Sequence, residues 1–242
     1  MTNASLGTLK VEIWRGAEEG DFETFEVPSQ PSQTVLDLVT YVQRKLDPSL
    51  AYRFACRVGV CGSCAMTVNG TPRWTCRTHV QKVASSGRVR IEPLRNLPIL
   101  KDLATDMAPF FDKGQEALGR FVPSDARASE VATIPPDDPK RKEANAAIEC
   151  IGCGVCYSAC DVVSWQPDYL GPAALNRAWT LVNDVRDGDR QGHLKAVAED
   201  AGCHACHGHQ NCVEHCPVGL NPTRSIAGLK RLVVMAALKG EL

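Results

Sequence analysis

Hydrophobic and polar positions alternate near the N-terminus and recur at helical spacing further on, so the chain divides into two unlike parts. Thr8–Trp14 places Leu9, Val11 and Ile13 on one face, the period-two pattern of a half-buried strand. Phe22–Val27 predicts a second strand after a glycine-containing turn. Thr34-x-x-Asp37 has the form of a capping box, and Val35, Leu38, Val39, Val42 and Leu46 follow at the spacing of a helix face. Pro48 disfavours helical backbone in the residue before it, so that helix should stop at Asp47. Ala65–Val68, Asn69–Gly70 and Thr71–Thr75 predict a hairpin around a primed turn, with Val89–Ile91 as a closing strand. Strands around one helix predict an α+β domain.

The C-terminal part has the helical period throughout. Helices are expected at Lys142–Glu149, at Ala173–Val185 with Pro172 as a first helical residue, and at Gln191–Glu199. Asn221 and Pro222 should cap and open a last helix that buries Ile226, Leu229, Leu232, Val233 and Ala236. Between the two parts lie Pro93, Pro98, Pro109, Pro123, Pro135, Pro136 and Pro139, which read as a linker with a helical stretch near Leu97–Leu118. The domains are therefore expected at 1–105 and 106–242.

Composition adds exclusions. Hydrophobic residues make up 44% and charged residues 23% of 242, as in an ordinary globular protein. The formal net charge is -1 with no basic block, so nothing attracts a phosphate backbone and a nucleic-acid partner is not expected. The best apolar run, Ile226 to Leu238, is too short to span a bilayer and contains Lys230 and Arg231. The N-terminus has neither a charged region followed by an apolar core nor an Arg-rich amphipathic stretch, so no export or transit signal is expected.

Twelve cysteines change the picture. In a compartment that keeps thiols reduced, such density means metal rather than disulfides, with zinc sites as the alternative to iron. The first group is Cys56-x4-Cys61-x2-Cys64-x11-Cys76, the plant-type [2Fe–2S] spacing. Gly59 and Gly62 let main-chain amides approach the sulfurs. The second group, Cys150-x2-Cys153-x2-Cys156-x3-Cys160, and the third, Cys206-x5-Cys212-x3-Cys216-Pro217, resemble the bacterial run in which each fourth cysteine serves the other cluster. That rule assigns Cys150, Cys153, Cys156 and Cys216 to a [4Fe–4S] cluster. Cys160, Cys206 and Cys212 remain, with His209 where a further cysteine would stand. Three thiolates fit a [3Fe–4S] cluster, with His209 or Cys203 as the rival fourth ligand to a cubane. No catalytic triad, phosphate loop or dinucleotide fingerprint accompanies them. Three clusters on one chain predict a relay of electrons between partners, against the alternative of a zinc-stabilised interaction module.

The order of the three cysteine groups resembles the iron–sulfur subunit of succinate dehydrogenase and fumarate reductase. The segments Pro93-Leu-Arg-Asn-Leu-Pro98, Lys101-Asp102-Leu103, Met107-Ala-Pro-Phe-Phe111, Gly171-Pro-Ala173 and Leu220-Asn-Pro-Thr-Arg224 are similar to that family as well. The resemblance implies an N-terminal β-grasp plant-type ferredoxin domain and a C-terminal all-α bacterial-type ferredoxin domain. It implies an FAD-containing flavoprotein partner beside [2Fe–2S], and a membrane anchor with quinone beside [3Fe–4S]. It places the subunit peripherally on the cytoplasmic face of a bacterial inner membrane. Trp165 and His207 match quinone-site positions; their indole and imidazole either donate hydrogen bonds to a quinone carbonyl or pack around the cluster. The direction of reaction stays open between succinate oxidation and fumarate reduction. The subunit of another flavin-dependent oxidoreductase, such as a glycolate oxidase or a heterodisulfide-reductase-like complex, is a further alternative.

The chain departs from the family pattern around the third group. Asp161 follows Cys160 where proline is usual, Ser164 precedes Trp165, and Cys203 is additional. His204, His207, His209 and His215 crowd the same stretch. Cys203 reads as a buried thiol. His79 and His193 read as ordinary surface residues.

Overall fold

The computed structural model describes residues 7–124 and 133–242. Part of the proline-containing stretch, and the start of the segment read as lacking an export signal, lie outside the described residues. The chain divides into two compact units, Met1–Met107 with Ile151–Ser158, and Ala108–Cys150 with Ala159–Leu242.

The first unit is a mixed sheet closed over a helix. Strands β1 (Thr8–Gly16) and β2 (Gly20–Pro28) form an antiparallel hairpin. Helix α1 (Val35–Tyr41) follows, then β3 (Ala65–Val68), β4 (Thr71–Trp74), the single turn α2 (Val80–Val83) and β5 (Arg88–Glu92). The sheet order is β2-β1-β5-β3-β4. The strand read as closing the domain therefore runs through its middle, parallel to β1 and antiparallel to β3. Val11 and Ile13 of β1, Val89 and Ile91 of β5, and Val35, Leu38, Val39 and Val42 of the helix share one core. Each such aliphatic side chain contributes roughly 1.5–3 kcal/mol by leaving water.

Local sequence explains most of these boundaries. The capping box is formed: Thr34 Oγ1 accepts from the Asp37 amide at 3.3 Å, and an Asp37 carboxylate oxygen accepts from the Thr34 amide at 2.9 Å. Asn69 and Gly70 both take positive φ, as a primed turn demands. The helix does end at Leu46, but Val42–Leu46 is a π-turn closed by the Asp47 amide on the Val42 carbonyl at 2.8 Å. The wider turn adds a residue and rotates the face, so Leu46, expected inside, is 45% exposed.

The helical stretch expected near Leu97–Leu118 is helical only over α3 (Ala108–Glu116), the first element of the second unit. Ahead of it, Ile99–Lys101 (β6) and Ala104–Thr105 (β7) make a two-stranded ribbon. Asp102, at its turn with φ 51°, is buried. Its carboxylate accepts from the Gly16 amide (2.9 Å), the Ala51 amide (2.8 Å) and Arg15 Nη1 (2.9 Å). These partners fix the segment in place and override its helical pattern.

Helix α4 (Pro139–Ala144) starts earlier than expected because Asp138 caps it and Pro139 opens it. Helix α5 (Val155–Ser158) belongs to the first unit. Then come α6 (Asp161–Trp165), α7 (Gly171–Asn183), α8 (Arg190–Ala196), α9 (Asn211–Glu214) and α10 (Pro222–Leu238). Helices α4, α7, α8 and α10 of the second unit fall on the ranges the period suggested, whereas the single turns α6 and α9, both within cysteine-bearing loops, were not expected. Asn221 caps α10 by accepting from the Arg224 amide at 2.9 Å. Ile226, Leu229, Val233 and Ala236 are buried, whereas Leu232 is only half-buried. No helix among the described residues is long and apolar enough to cross a membrane.

His193 corrects the sequence reading. It is fully buried, with Nε2 at 3.0 Å from Asp187 Oδ1. Asp187 Oδ2 also accepts from the Val122 amide at 3.0 Å, so the pair fastens a distant loop to the start of α8. The ring's partner lies only six residues back, but its burial comes from packing that periodicity does not display.

Candidate metal centres

The first cysteine group sits on the loop between α1 and β3 and on the turn after β4. Cys56 and Cys61 are half-buried; Cys64 and Cys76 are buried. The loop folds around sulfur. Cys56 Sγ accepts from the amides of Val58 (3.5 Å), Val60 (3.3 Å) and Cys61 (3.3 Å). Cys61 Sγ accepts from the Cys56 amide at 3.4 Å. The donated main-chain N–H groups pull the Cys56 thiol down to about 6. Burial, and then the neighbouring Cys64 thiol, push Cys76 up to about 12, against a hydrogen bond from the Gly59 amide. The rim cysteine ionises readily, and the inner one needs positive charge to do so, which is the service iron performs.

Residues that spacing did not reveal hold this loop. Arg77 donates to the Val58 carbonyl through Nε (3.1 Å) and Nη2 (2.8 Å). Leu36, Tyr52 and Trp74 pack around Cys64 and Cys76. Thr75, read as the end of the hairpin, lies instead with Cys76 on a 3₁₀ turn, and its Oγ1 donates to the Cys64 carbonyl at 2.7 Å. Gly62 has φ +70°, and a Cβ added there would come within 2.6 Å of Cys153 Cβ. The first cysteine loop and the Cys153 loop, both in the first unit, thus touch with no room for a side chain between them.

Of the set expected for [4Fe–4S], Cys153 and Cys156 lie on Ile151–Ser158 in the first unit, and Cys150 and Cys216 lie in the second. Cys216 Sγ accepts from the Leu220 amide at 3.3 Å.

The remaining three cysteines meet. Cys160, Cys206 and Cys212 line one cavity together with Tyr169, His209 and Thr223. Burial raises the pKa of Cys160 and of Cys212. Amides of Val162 and Val163 point at Cys160, and Cys212 Sγ lies 3.4 Å from Thr223 Oγ1. Cys203 is fully buried, its thiol pushed up to about 11 by burial, and it does not line this cavity. Among the described residues, no three Cys, His, Asp or Glu side chains converge as ligands to a single ion would. A cluster asks for a different arrangement, one thiolate for each iron around a shared void. The donor set and the cavity fit that demand.

Trp165, 65% exposed, stands at this end with its ring edge-on to His207 (6.2 Å between centroids) and to His209 (5.6 Å). His207 and His209 are 5.9 Å apart. Asp161 orients this group: its Oδ2 is 3.5 Å from His209 Nδ1 and accepts from Asn211 Nδ2 at 3.2 Å.

Residues 8–112 match the family described as 2Fe-2S iron-sulfur cluster binding domain, and residues 146–220 match 4Fe-4S dicluster domain. The chain is 33% identical over 237 residues to the fumarate reductase iron-sulfur subunit of Haemophilus influenzae, covering 92% of each. It is 34% identical to a mitochondrial succinate dehydrogenase [ubiquinone] iron-sulfur subunit of Oryza sativa, covering 84% of this chain and 72% of that one. Its structure superposes on a chain of the Mycobacterium smegmatis Sdh1 complex in the apo form with a TM-score of 0.84 at 27% identity, covering 96% and 97% of the two chains. The expected succession of a [2Fe–2S] ferredoxin domain and a second ferredoxin-type domain stands, and the chain belongs to the iron–sulfur subunits of the fumarate reductase and succinate dehydrogenase family.

Proposed function

We propose that this chain is the electron-relay subunit of a succinate:quinone oxidoreductase, working with an FAD-containing flavoprotein and a membrane anchor. Clusters bound at its three cysteine sets would supply one-electron carriers. Cys56, Cys61, Cys64 and Cys76 would hold [2Fe–2S] in the domain 1–105. Cys150, Cys153, Cys156 and Cys216 would hold [4Fe–4S], and Cys160, Cys206 and Cys212 would hold [3Fe–4S], in the domain 106–242. The observation that carries the reading is the cavity lined by three cysteines and no fourth. His209 shares its lining, but its ring faces Asp161 and Trp165 as well.

The residues around the sulfurs have distinct tasks. Main-chain N–H groups at Cys56 stabilise negative charge without side-chain reorganisation. The bare Gly62 lets the first loop lie against Cys153, which shortens the step between the first two sets. The exposed Val58 and Val60 at the rim of the first loop offer an apolar surface to the flavoprotein. Exposed Trp165 and His207 present an indole N–H and an imidazole, which would bind a quinone carbonyl beside the third set. The subunit would then sit peripherally on the cytoplasmic face of the membrane, with the anchor at this end. Succinate oxidation is the preferred direction; quinol:fumarate reduction uses the same path reversed.

Iron and acid-labile sulfide counts on anaerobically isolated protein test the assignment. The expected result is about nine irons and ten sulfides per chain, with paramagnetic signals for three distinct clusters. About ten irons would replace the three-iron centre by a cubane, and zinc in place of iron would remove the relay.

A further inference from the structure

Two hydroxyls reach the three-cysteine cavity from side chains that spacing did not single out. Tyr169 precedes α7, is 1% exposed, and lines the cavity. It shares that lining with Cys206, and a neutral phenol beside a metal-bound thiolate can only donate to it. Thr223, in the first turn of α10, lies with Oγ1 3.4 Å from Cys212 Sγ. A thiolate has no proton to give, so once Cys212 binds metal the threonine must be the donor.

Resting on the three-thiolate reading above, we propose that Tyr169 and Thr223 raise the reduction potential of the third centre by donating hydrogen bonds to Cys206 and Cys212. The reduced state carries one more negative charge, spread partly onto its sulfurs. A fixed donor therefore stabilises it more than the oxidised state. The two hydroxyls act through the cysteines they touch and need not contact quinone. Pro172 and Ile226 share the lining with them, and the burial of Tyr169 keeps its dipole from being screened by solvent.

The test is a redox titration of the full chain, isolated with its clusters, following the three-iron paramagnetic signal. In Tyr169→Phe the ring packing is kept and one proton donor is lost. At the wild-type midpoint, its ratio of reduced to oxidised centre should fall about tenfold, equivalent to a midpoint about 59 mV lower. Thr223→Val should lower the ratio about threefold and Thr223→Ser should restore it, while the other two centres titrate as in the wild type. Tyr169→Phe and Thr223→Val both titrating with the wild type would overturn the proposal and leave the ligand assignment standing. So would loss of the three-iron signal in Tyr169→Phe, because the hydroxyl would then hold the centre rather than tune it. Absence of that signal from the wild type would overturn the three-thiolate reading itself.

Discussion

The first and third cysteine sets differ in what they add to main-chain amides around sulfur. Around Cys56 the donors are main-chain amides of the loop itself, three of them within five residues of the sulfur they serve. Beside Cys212 and Cys206 stand side-chain hydroxyls as well, Thr223 from the first turn of α10 and Tyr169 from the segment before α7. A main-chain cradle is written into the path of the loop and survives most substitutions. A hydroxyl can be deleted by one atom. The contrast teaches that the first centre is fixed by backbone conformation, whereas the third can be adjusted through individual residues.

Three substitutions break or sharpen the contrast. The largest effect is expected from Cys76→Ser, which removes an inner thiolate: iron content should drop by about two per chain, with the three-iron signal unchanged. If that signal vanished too, the two regions would not be independent. Next comes Gly62→Val. It forces a side chain onto φ +70° and into Cys153, at a combined cost of about 3 kcal/mol in chemical denaturation. Retention of wild-type stability would show that the two loops can part. The smallest effect belongs to Arg77→Ala, which removes both bonds to the Val58 carbonyl. The loop should keep its iron and lose about 1 kcal/mol, because the amides at Cys56 do not depend on the guanidinium. Iron loss in this variant would mean that the cradle needs its clamp.

What the sequence displayed, and what it hid, divides along the same line. The capping box at Thr34 and Asp37 and the turn at Asn69–Gly70 were legible because their partners are adjacent in the chain. Cysteine spacing was legible because cluster ligands must come at reachable intervals along one loop. The turn at Asp102 was not, since its carboxylate meets Arg15 and Gly16, more than eighty residues away. Leu46 misled because a π-turn changes phase without any proline or glycine to announce it. Tyr169 and Thr223 were passed over because a hydroxyl aimed at sulfur has no motif. Only the fold brings Tyr169 from the start of α7 to Cys206.

The segment Ile151–Ser158 belongs with residues far upstream of it. Ser158 Oγ accepts from the Arg95 amide at 2.8 Å, and Asn96 Nδ2 donates to the Tyr157 carbonyl at 3.1 Å. During synthesis, the N-terminal body therefore cannot close its last hydrogen bonds until residue 158 has left the ribosome. A fragment cut at Met107 would emerge with Arg95 and Asn96 deprived of these partners, a frayed edge that the complete polypeptide mends by looping back.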